Sequence, residues 1–257
     1  MGNLKFILSY IRYYLTAKNE NNIKSPFVFD LFTNIIKDTN PFYIFKDIEA
    51  IRTELLQSNK KIEVRDYGTG SSGLRRVKDI AKTSLQNPKY AQLLFRLLNR
   101  FQPKVLLEFG TSLGISALYQ AAVSKNCRLI TLEGCPQTAE IAKQNFKKLN
   151  MDNIELVTGN FDDTLPETLK QINNLDYVFF DGNHRKEPTI SYFQQCLPLI
   201  NNNTFFVFDD IHRSYDMELA WETIKKHTQV TVTLDLFFTG LVFFRKELRK
   251  QHFIIWF

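Results

Sequence analysis

Val105-Leu106-Leu107-Glu108-Phe109-Gly110-Thr111-Ser112-Leu113-Gly114-Ile115-Ser116 decides how the rest of the chain is read. A short apolar run enters a glycine loop and leaves as an amphipathic segment, with Ile115, Leu118 and Ala122 on one helical face. That is a buried strand, a tight loop and a helix in immediate succession. The spacing is Gly-x-x-x-Gly with an acid two residues before the first glycine, so it fails the Gly-x-Gly-x-x-Gly dinucleotide fingerprint. It suits a different ligand. A carboxylate at the strand's end can hold a cationic amino group, while the glycines let the ligand lie against the backbone.

Downstream the same grammar repeats. Apolar runs recur at Leu129–Leu132, Ile154–Val157, Tyr177–Phe180 and Phe205–Phe208, with helix-like segments such as Ala142/Phe146/Leu149 and Met217/Ala220/Trp221/Ile224 between them. Buried strands alternating with amphipathic helices predict βαβ units and a parallel sheet. Val230–Phe238 and Leu241–Arg245 read instead as an antiparallel hairpin turning at Thr239-Gly240. Upstream, residues 1–60 read as helical and aromatic-rich, with breaks at Ser25-Pro26 and Asn40-Pro41. A basic, glycine-containing segment follows at 61–83, and Tyr90, Leu94, Leu97 and Phe101 predict a helix over Pro88–Phe101. The expected division is a helical cap with a Gly-rich basic loop at 1–84 and a core at 85–257.

The chain has 257 residues and a formal charge of +6, from 33 Lys+Arg against 27 Asp+Glu. Aromatic residues reach 14%, with 23 Phe, which excludes a disordered or purely polyanion-binding chain for most of the length. Three cysteines, Cys127, Cys135 and Cys196, form no CxxC pair, so neither a disulfide framework nor a structural zinc site is expected. The first residues carry no signal-peptide pattern, and the uncharged stretch Phe6–Ile11 is far short of the roughly 20 residues of a membrane span. A cytoplasmic protein is the expectation.

A second glycine loop, Gly68-Thr69-Gly70-Ser71-Ser72-Gly73, matches Gly-x-Gly-x-x-Gly literally. Its context is poor: Lys60 to Asp66 alternate charged and apolar side chains, and Leu93 stands where an acid would follow the last glycine by about 20 positions. It reads as a mobile loop or lid, or as an anion-holding substrate loop.

Glu133 ends the apolar strand that follows the first glycine loop, 25 residues after Glu108. At such a strand end a carboxylate can accept hydrogen bonds from both ribose hydroxyls. The alternative is that Glu108 and Glu133 merely cap helices. Together with Asp181 and the terminal hairpin, these features resemble class I S-adenosylmethionine-dependent methyltransferases over roughly residues 85–245. Asp176-Tyr177-Val178-Phe179-Phe180-Asp181-Gly182-Asn183-His184, paired with Phe208-Asp209-Asp210-Ile211-His212, resembles the catechol O-methyltransferase-like branch.

The resemblance implies an α/β fold: a doubly wound, seven-stranded, mostly parallel sheet with a C-terminal antiparallel hairpin, preceded by the helical cap. It implies that Glu108, Gly110, Thr111, Ser112 and Gly114 surround the methionine end of the cofactor. Glu133 would bind the ribose and Asn160-Phe161 would lie by the adenine, with Asp181 also near the cofactor. Asn160 departs from the acid common in that family, and Asp162 or Asp163 could substitute. Asp181, Asp209 and Asp210 stand at positions that hold a divalent cation, usually Mg²⁺; the family often carries Asn where this chain has Asp210. His184 falls where the family often carries a lysine base, with His212 as its rival.

The expected activity is methyl transfer to an oxygen of a small-molecule acceptor, with Asp181 and His184 as the catalytic pair. Two other classes stay open. One is a nucleic-acid methyltransferase using Arg75, Arg76, Lys78 and Lys82, disfavoured by the absence of an Asn/Asp-Pro-Pro-Tyr segment after Phe180. The other is a non-catalytic scaffold that retains the fold. The aromatic residues of the cap, including Phe27, Phe29, Phe42, Tyr43 and Phe45, are expected in an acceptor pocket, in the core or on a homodimer surface.

Overall fold

The computed structural model describes residues 2–65, 67 and 72–257. Its strands are β1 (Lys61–Val64), β2 (Gly73–Arg76), β3 (Val105–Phe109), β4 (Arg128–Glu133), β5 (Ile154–Thr158), β6 (Leu175–Phe180), β7 (Ile200–Asp209), β8 (Val232–Asp235), β9 (Thr239–Phe243) and β10 (Gln251–Ile254). The α-helices are α1 (Gly2–Thr16), α2 (Pro26–Leu31), α3 (Tyr43–Gln57), α4 (Val77–Ser84), α5 (Pro88–Phe101), α6 (Ile115–Ala121), α7 (Pro136–Lys148), α8 (Phe161–Lys170), α9 (Lys186–Cys196) and α10 (Tyr215–Lys226). The chain divides into two compact units, Thr39–Asn173 and a second built from Met1–Asp38 with Asn174–Phe257. The first two helices thus group with the last strands, because α1 and the segment after it are hydrogen-bonded to residues beyond 215.

In the unit Thr39–Asn173, β3, β4 and β5 run parallel in that order, with Val105 opposite Arg128 and Leu129 opposite Ile154. Leu106, Leu107, Phe109, Leu129, Ile130 and Leu132 are buried, as a strand covered on both faces requires. Every residue of α6 is buried, so the helix after the first glycine loop is a core element. Asn87 caps α5 by accepting from the Lys89 amide at 3.0 Å, Pro88 supplies a preset first turn, and left-handed Gln102 ends the helix. β1 and β2 form a separate antiparallel ladder, Lys61 opposite Arg76 and Val64 opposite Gly73. The literal dinucleotide motif joins them, but Gly68 and Gly70 lie outside the described residues.

In the other unit β6 and β7 are parallel, β7 and β9 antiparallel, β9 and β8 antiparallel, and β10 parallel to β8. Much of the phenylalanine content is spent here: Phe179, Phe205, Phe206 and Phe208 are buried, and the rings of Phe180 and Phe208 stack at 4.3 Å. β10 adds a strand to the seven expected. The hairpin turn also differs from expectation. It falls at Leu236–Phe238, with Phe237 at φ 68° and its amide donating to Asp235 Oδ1 at 2.9 Å. Gly240 lies inside β9, where a Cβ would come within 2.7 Å of the Trp221 indole. The glycine serves close packing, and the Asp235 side chain holds the turn.

Candidate functional site

The unit Thr39–Asn173 carries the loop that leaves β3. Gly110 and Gly114 both sit at φ +89°, and Ser112 between them at φ 49°. The loop folds back on the end of β4: the amides of Gly110 and Thr111 donate to Leu132 O at 2.9 and 3.2 Å. The Ser112 amide donates to Glu133 Oε2 at 2.8 Å, and the Cys135 amide donates to Glu133 Oε1, also at 2.8 Å. Two backbone donors therefore fix the orientation of the Glu133 carboxylate at the end of β4. Asn145 Nδ2 donates to Leu113 O at 2.9 Å and ties the far side of the loop to α7.

Glu108 lies deeper than the sequence suggests. It is fully buried; Gln120 Nε2 donates to its Oε1 at 2.5 Å and Thr131 Oγ1 to its Oε2 at 2.6 Å. Thr131 is in turn 2.6 Å from the hydroxyl of Thr111. Burial pushes the Glu108 carboxyl up to about 7, against the opposing pull of hydrogen bonds from Ser116, Thr131 and Gln120. The carboxylate thus braces the glycine loop from beneath, through Thr131 and Thr111. Sequence spacing missed Gln120, Thr131, Asn145 and Cys135, because their roles depend on which way side chains point across neighbouring elements.

Asn160 caps α8, its Oδ1 accepting from the Asp162 amide at 3.3 Å. Phe161 meets Phe109 edge-on at 5.6 Å, while Asp162 and Asp163 are exposed. Tyr67 closes over the loop after Glu133: a Cβ on Gly134 would fall 2.8 Å from its ring.

The acids of the other unit also stand at strand ends, Asp181 after β6 and Asp209-Asp210 at the end of β7. His184 Nε2 is 3.5 Å from Asp181 Oδ1. Thr239 Oγ1 reaches toward Asp209 Oδ1 at 3.5 Å, and Asp210, left-handed at φ 55°, accepts from Arg213 Nη1 at 2.7 Å. Arg213 is held above its ordinary value first by that hydrogen bond, then by the charges of Asp210, Asp209 and Asp181. The three carboxylates therefore share one field, with a guanidinium as its counter-charge. Their hard oxygens are the donors Mg²⁺ takes. In this arrangement they do not fit as its ligand set, because Asp210 is spent on Arg213.

His212, the rival base, turns elsewhere. Its Nε2 is 2.8 Å from Asp235 Oδ2 and its ring stacks on Phe237 at 5.2 Å. Burial pulls its pKa down, but Asp235 and then Glu218 outweigh that and leave it above the ordinary imidazole value. Among the described residues no helix is long and apolar enough to cross a membrane.

Comparison with known proteins converges on one group. A family described as "Methyltransferase domain" matches residues 107–211, the span that holds these acids and glycines. The chain is 36% identical over 128 residues to a catechol O-methyltransferase of Niastella koreensis, covering 49% of this chain and 56% of that protein. It is 31% identical over 131 residues to a catechol O-methyltransferase of Sus scrofa, covering 48% of this chain and 68% of that protein. The chain thus spans little more than half the length of the first of these relatives. The O-methyltransferase from Bacillus cereus, solved in complex with SAH, superposes with a TM-score of 0.60 at 18% identity, over 84% of this chain and 97% of that one. That likeness shows a Rossmann-like methyltransferase fold.

Proposed function

The chain belongs to the catechol O-methyltransferase-like family of class I methyltransferases, and from that membership we propose that it transfers a methyl group from S-adenosylmethionine to an oxygen of a small-molecule acceptor. The observation that carries this reading is the glycine loop hydrogen-bonded to Glu133. It presents an ordered carboxylate beside the left-handed backbone of Gly110, Ser112 and Gly114. Such a carboxylate suits a pair of ribose hydroxyls, and the bare backbone at Gly110, with Thr111 and Ser112, suits a close-lying methionine chain, while Gly114 lets the loop pack against Phe146.

The cofactor supplies an electrophilic methyl group on a sulfonium, already joined to a good leaving group. What remains for the protein is alignment and the acceptor's proton. Holding the acceptor oxygen in line with the methyl group is worth roughly 7–11 kcal/mol of barrier. Glu108 contributes by keeping Thr111 and the loop in register, Glu133 by orienting the ribose, and Asn160 and Phe161 by flanking the adenine. His184 is the group we assign to accept the acceptor's hydroxyl proton, with Asp181 orienting its imidazole and stabilising the imidazolium that forms.

No step is assigned to a metal ion. Mg²⁺ on Asp181, Asp209 and Asp210 would polarise an acceptor oxygen, but Arg213 would first have to release Asp210. Arg213→Ala should therefore tighten binding of Mn²⁺, used as a paramagnetic stand-in, by about tenfold, since one opposing unit charge is removed from the site. Water-proton relaxation reads that affinity directly, and unchanged binding in the variant would show that Arg213 does not guard the carboxylates.

Calorimetric titration with S-adenosylmethionine tests the cofactor assignment. Glu133→Ala should weaken binding by about 10- to 100-fold, equivalent to about 1.5–3 kcal/mol for lost hydrogen bonds to a charged acceptor. Absence of binding by the folded wild-type protein would overturn the reading. Binding without methylation of any phenolic, carboxylic or hydroxylic acceptor would leave the fold with a non-catalytic role.

A further inference from the structure

Helix α1 carries two neighbouring apolar faces, and the fold uses one of them. Phe6, Tyr10 and Tyr13 fall together on the helical wheel and close on one ring, Phe237, at 5.3, 4.9 and 5.3 Å. Ser9 donates to Glu218 at 2.5 Å and Tyr13 to Ile255 O at 2.6 Å, which fixes the helix's rotation. That rotation turns Ile7, Leu8, Ile11, Tyr14 and Leu15 outward, each between 47 and 76% exposed. At 3.6 residues per turn the five make one stripe about 120° wide, as broad as the face with which an amphipathic helix normally meets a core. Exposed patches of this kind mark interaction surfaces.

Charge identifies the partner. Residues 1–19 contain Lys5, Arg12 and Lys18 and no aspartate or glutamate. Arg12 is exposed and lies four residues from Leu8 and three from Leu15, so it borders the stripe. Along the other border Tyr14 meets the Trp256 ring edge-on at 4.5 Å. A second copy of the helix would bring an acid-free, cationic segment against its like. An anionic lipid surface would meet Arg12 with opposite charge and take Tyr14 and Trp256 at headgroup depth. At 15 residues the helix is too short to span a bilayer, so it would lie in the plane of the interface.

We propose that α1 seats the protein on an anionic membrane surface through Ile7, Leu8, Ile11, Tyr14 and Leu15. The surface serves attachment and is independent of the cofactor assignment. The test is co-sedimentation of the full chain with vesicles of phosphatidylcholine alone and of an equal mixture with phosphatidylglycerol. The expected result is binding to the anionic vesicles that weakens as salt is raised. Reversing one cation, Arg12→Glu, should lower the partition about 25-fold, two charges at about fivefold each. Leu15→Asp and Ile11→Asp should each abolish sedimentation. Because these side chains are exposed, the variants should keep the wild-type circular dichroism and cofactor titration. Failure to bind anionic vesicles, or equal binding to neutral ones, would overturn the proposal. So would a stable dimer by light scattering that Ile11→Asp splits, which would assign the stripe to a second copy.

Discussion

Gly114→Ala should lower the thermal midpoint by roughly 10 °C and remove measurable binding of S-adenosylmethionine. The residue sits at φ +89°, where a side chain meets backbone strain of about 1–2 kcal/mol. The added methyl group would also lie 2.6 Å from Phe146 Cε1 and 3.1 Å from Ala142 Cβ. Phe146 is a buried ring on α7 with little freedom to swing aside, so overpacking adds about 1–3 kcal/mol. Together these cost about 3–4 kcal/mol, and chains of this size lose about 2–4 °C per kcal/mol. The binding loss follows from position, since relief of the clash must displace the loop that carries Ser112 toward Glu133. Scanning calorimetry and cofactor titration on one preparation check both parts, and a midpoint within 2–3 °C of wild type would show that α7 yields.

Glu108 should produce the other large effect, and its size depends on pH. Glu108→Ala removes the acceptor for Gln120, Thr131 and Ser116 inside a sealed core, at about 1–3 kcal/mol for each donor left unpaired. A loss of about 3–5 kcal/mol in denaturant unfolding is expected. Glu108→Gln keeps the shape and isolates the charge. The folded-state carboxyl titrates near 7, above its ordinary value of 4.5, so in this interval the native protein retains a proton that the unfolded chain has released. Stability from this group is complete below about pH 4.5 and is lost as pH rises through about 7. Two and a half units correspond to about 3 kcal/mol. Compared with Glu108→Gln, the wild type should therefore lose stability between pH 4.5 and 7 and then level off. Parallel unfolding curves for the two proteins across that window would show that the buried carboxyl does not titrate there.

The sequence revealed the strands wherever burial on both faces forces an uninterrupted apolar run, as at Leu106-Leu107 and Phe205–Phe208. It also placed α5 over Pro88–Phe101, because Asn87-Pro88 is a local start signal and the leucines that follow keep helical period. β10 stayed hidden: its polar Gln251 and His252 are half-buried or exposed and only Phe253 is buried, so composition carries no strand signal. The hairpin was found but its turn misplaced, since Gly240 attracts a turn assignment while its real neighbour is Trp221. At the candidate site, strand-end position singled out Glu108, Glu133, Asp181, Asp209 and Asp210. Spacing does not tell whether a carboxylate points up into a ligand or down into the core, and Glu108 points down. Arg213, three residues after Asp210, was a readable partner for it.

Tyr13 reaches Ile255 across 242 residues of sequence, and Ser9 reaches Glu218 across 209. On a ribosome adding about 5–20 residues per second, α1 waits roughly 10–50 s for these partners to be made. The unit Thr39–Asn173 is continuous and can pair β3, β4 and β5 in that interval. Helix α1 therefore settles after that unit, with its apolar side chains open until residues 218–255 are made. Nascent-chain quality control should meet α1 with its apolar side chains open, and a chain that stops short of β8 would leave the helix permanently without its native seat.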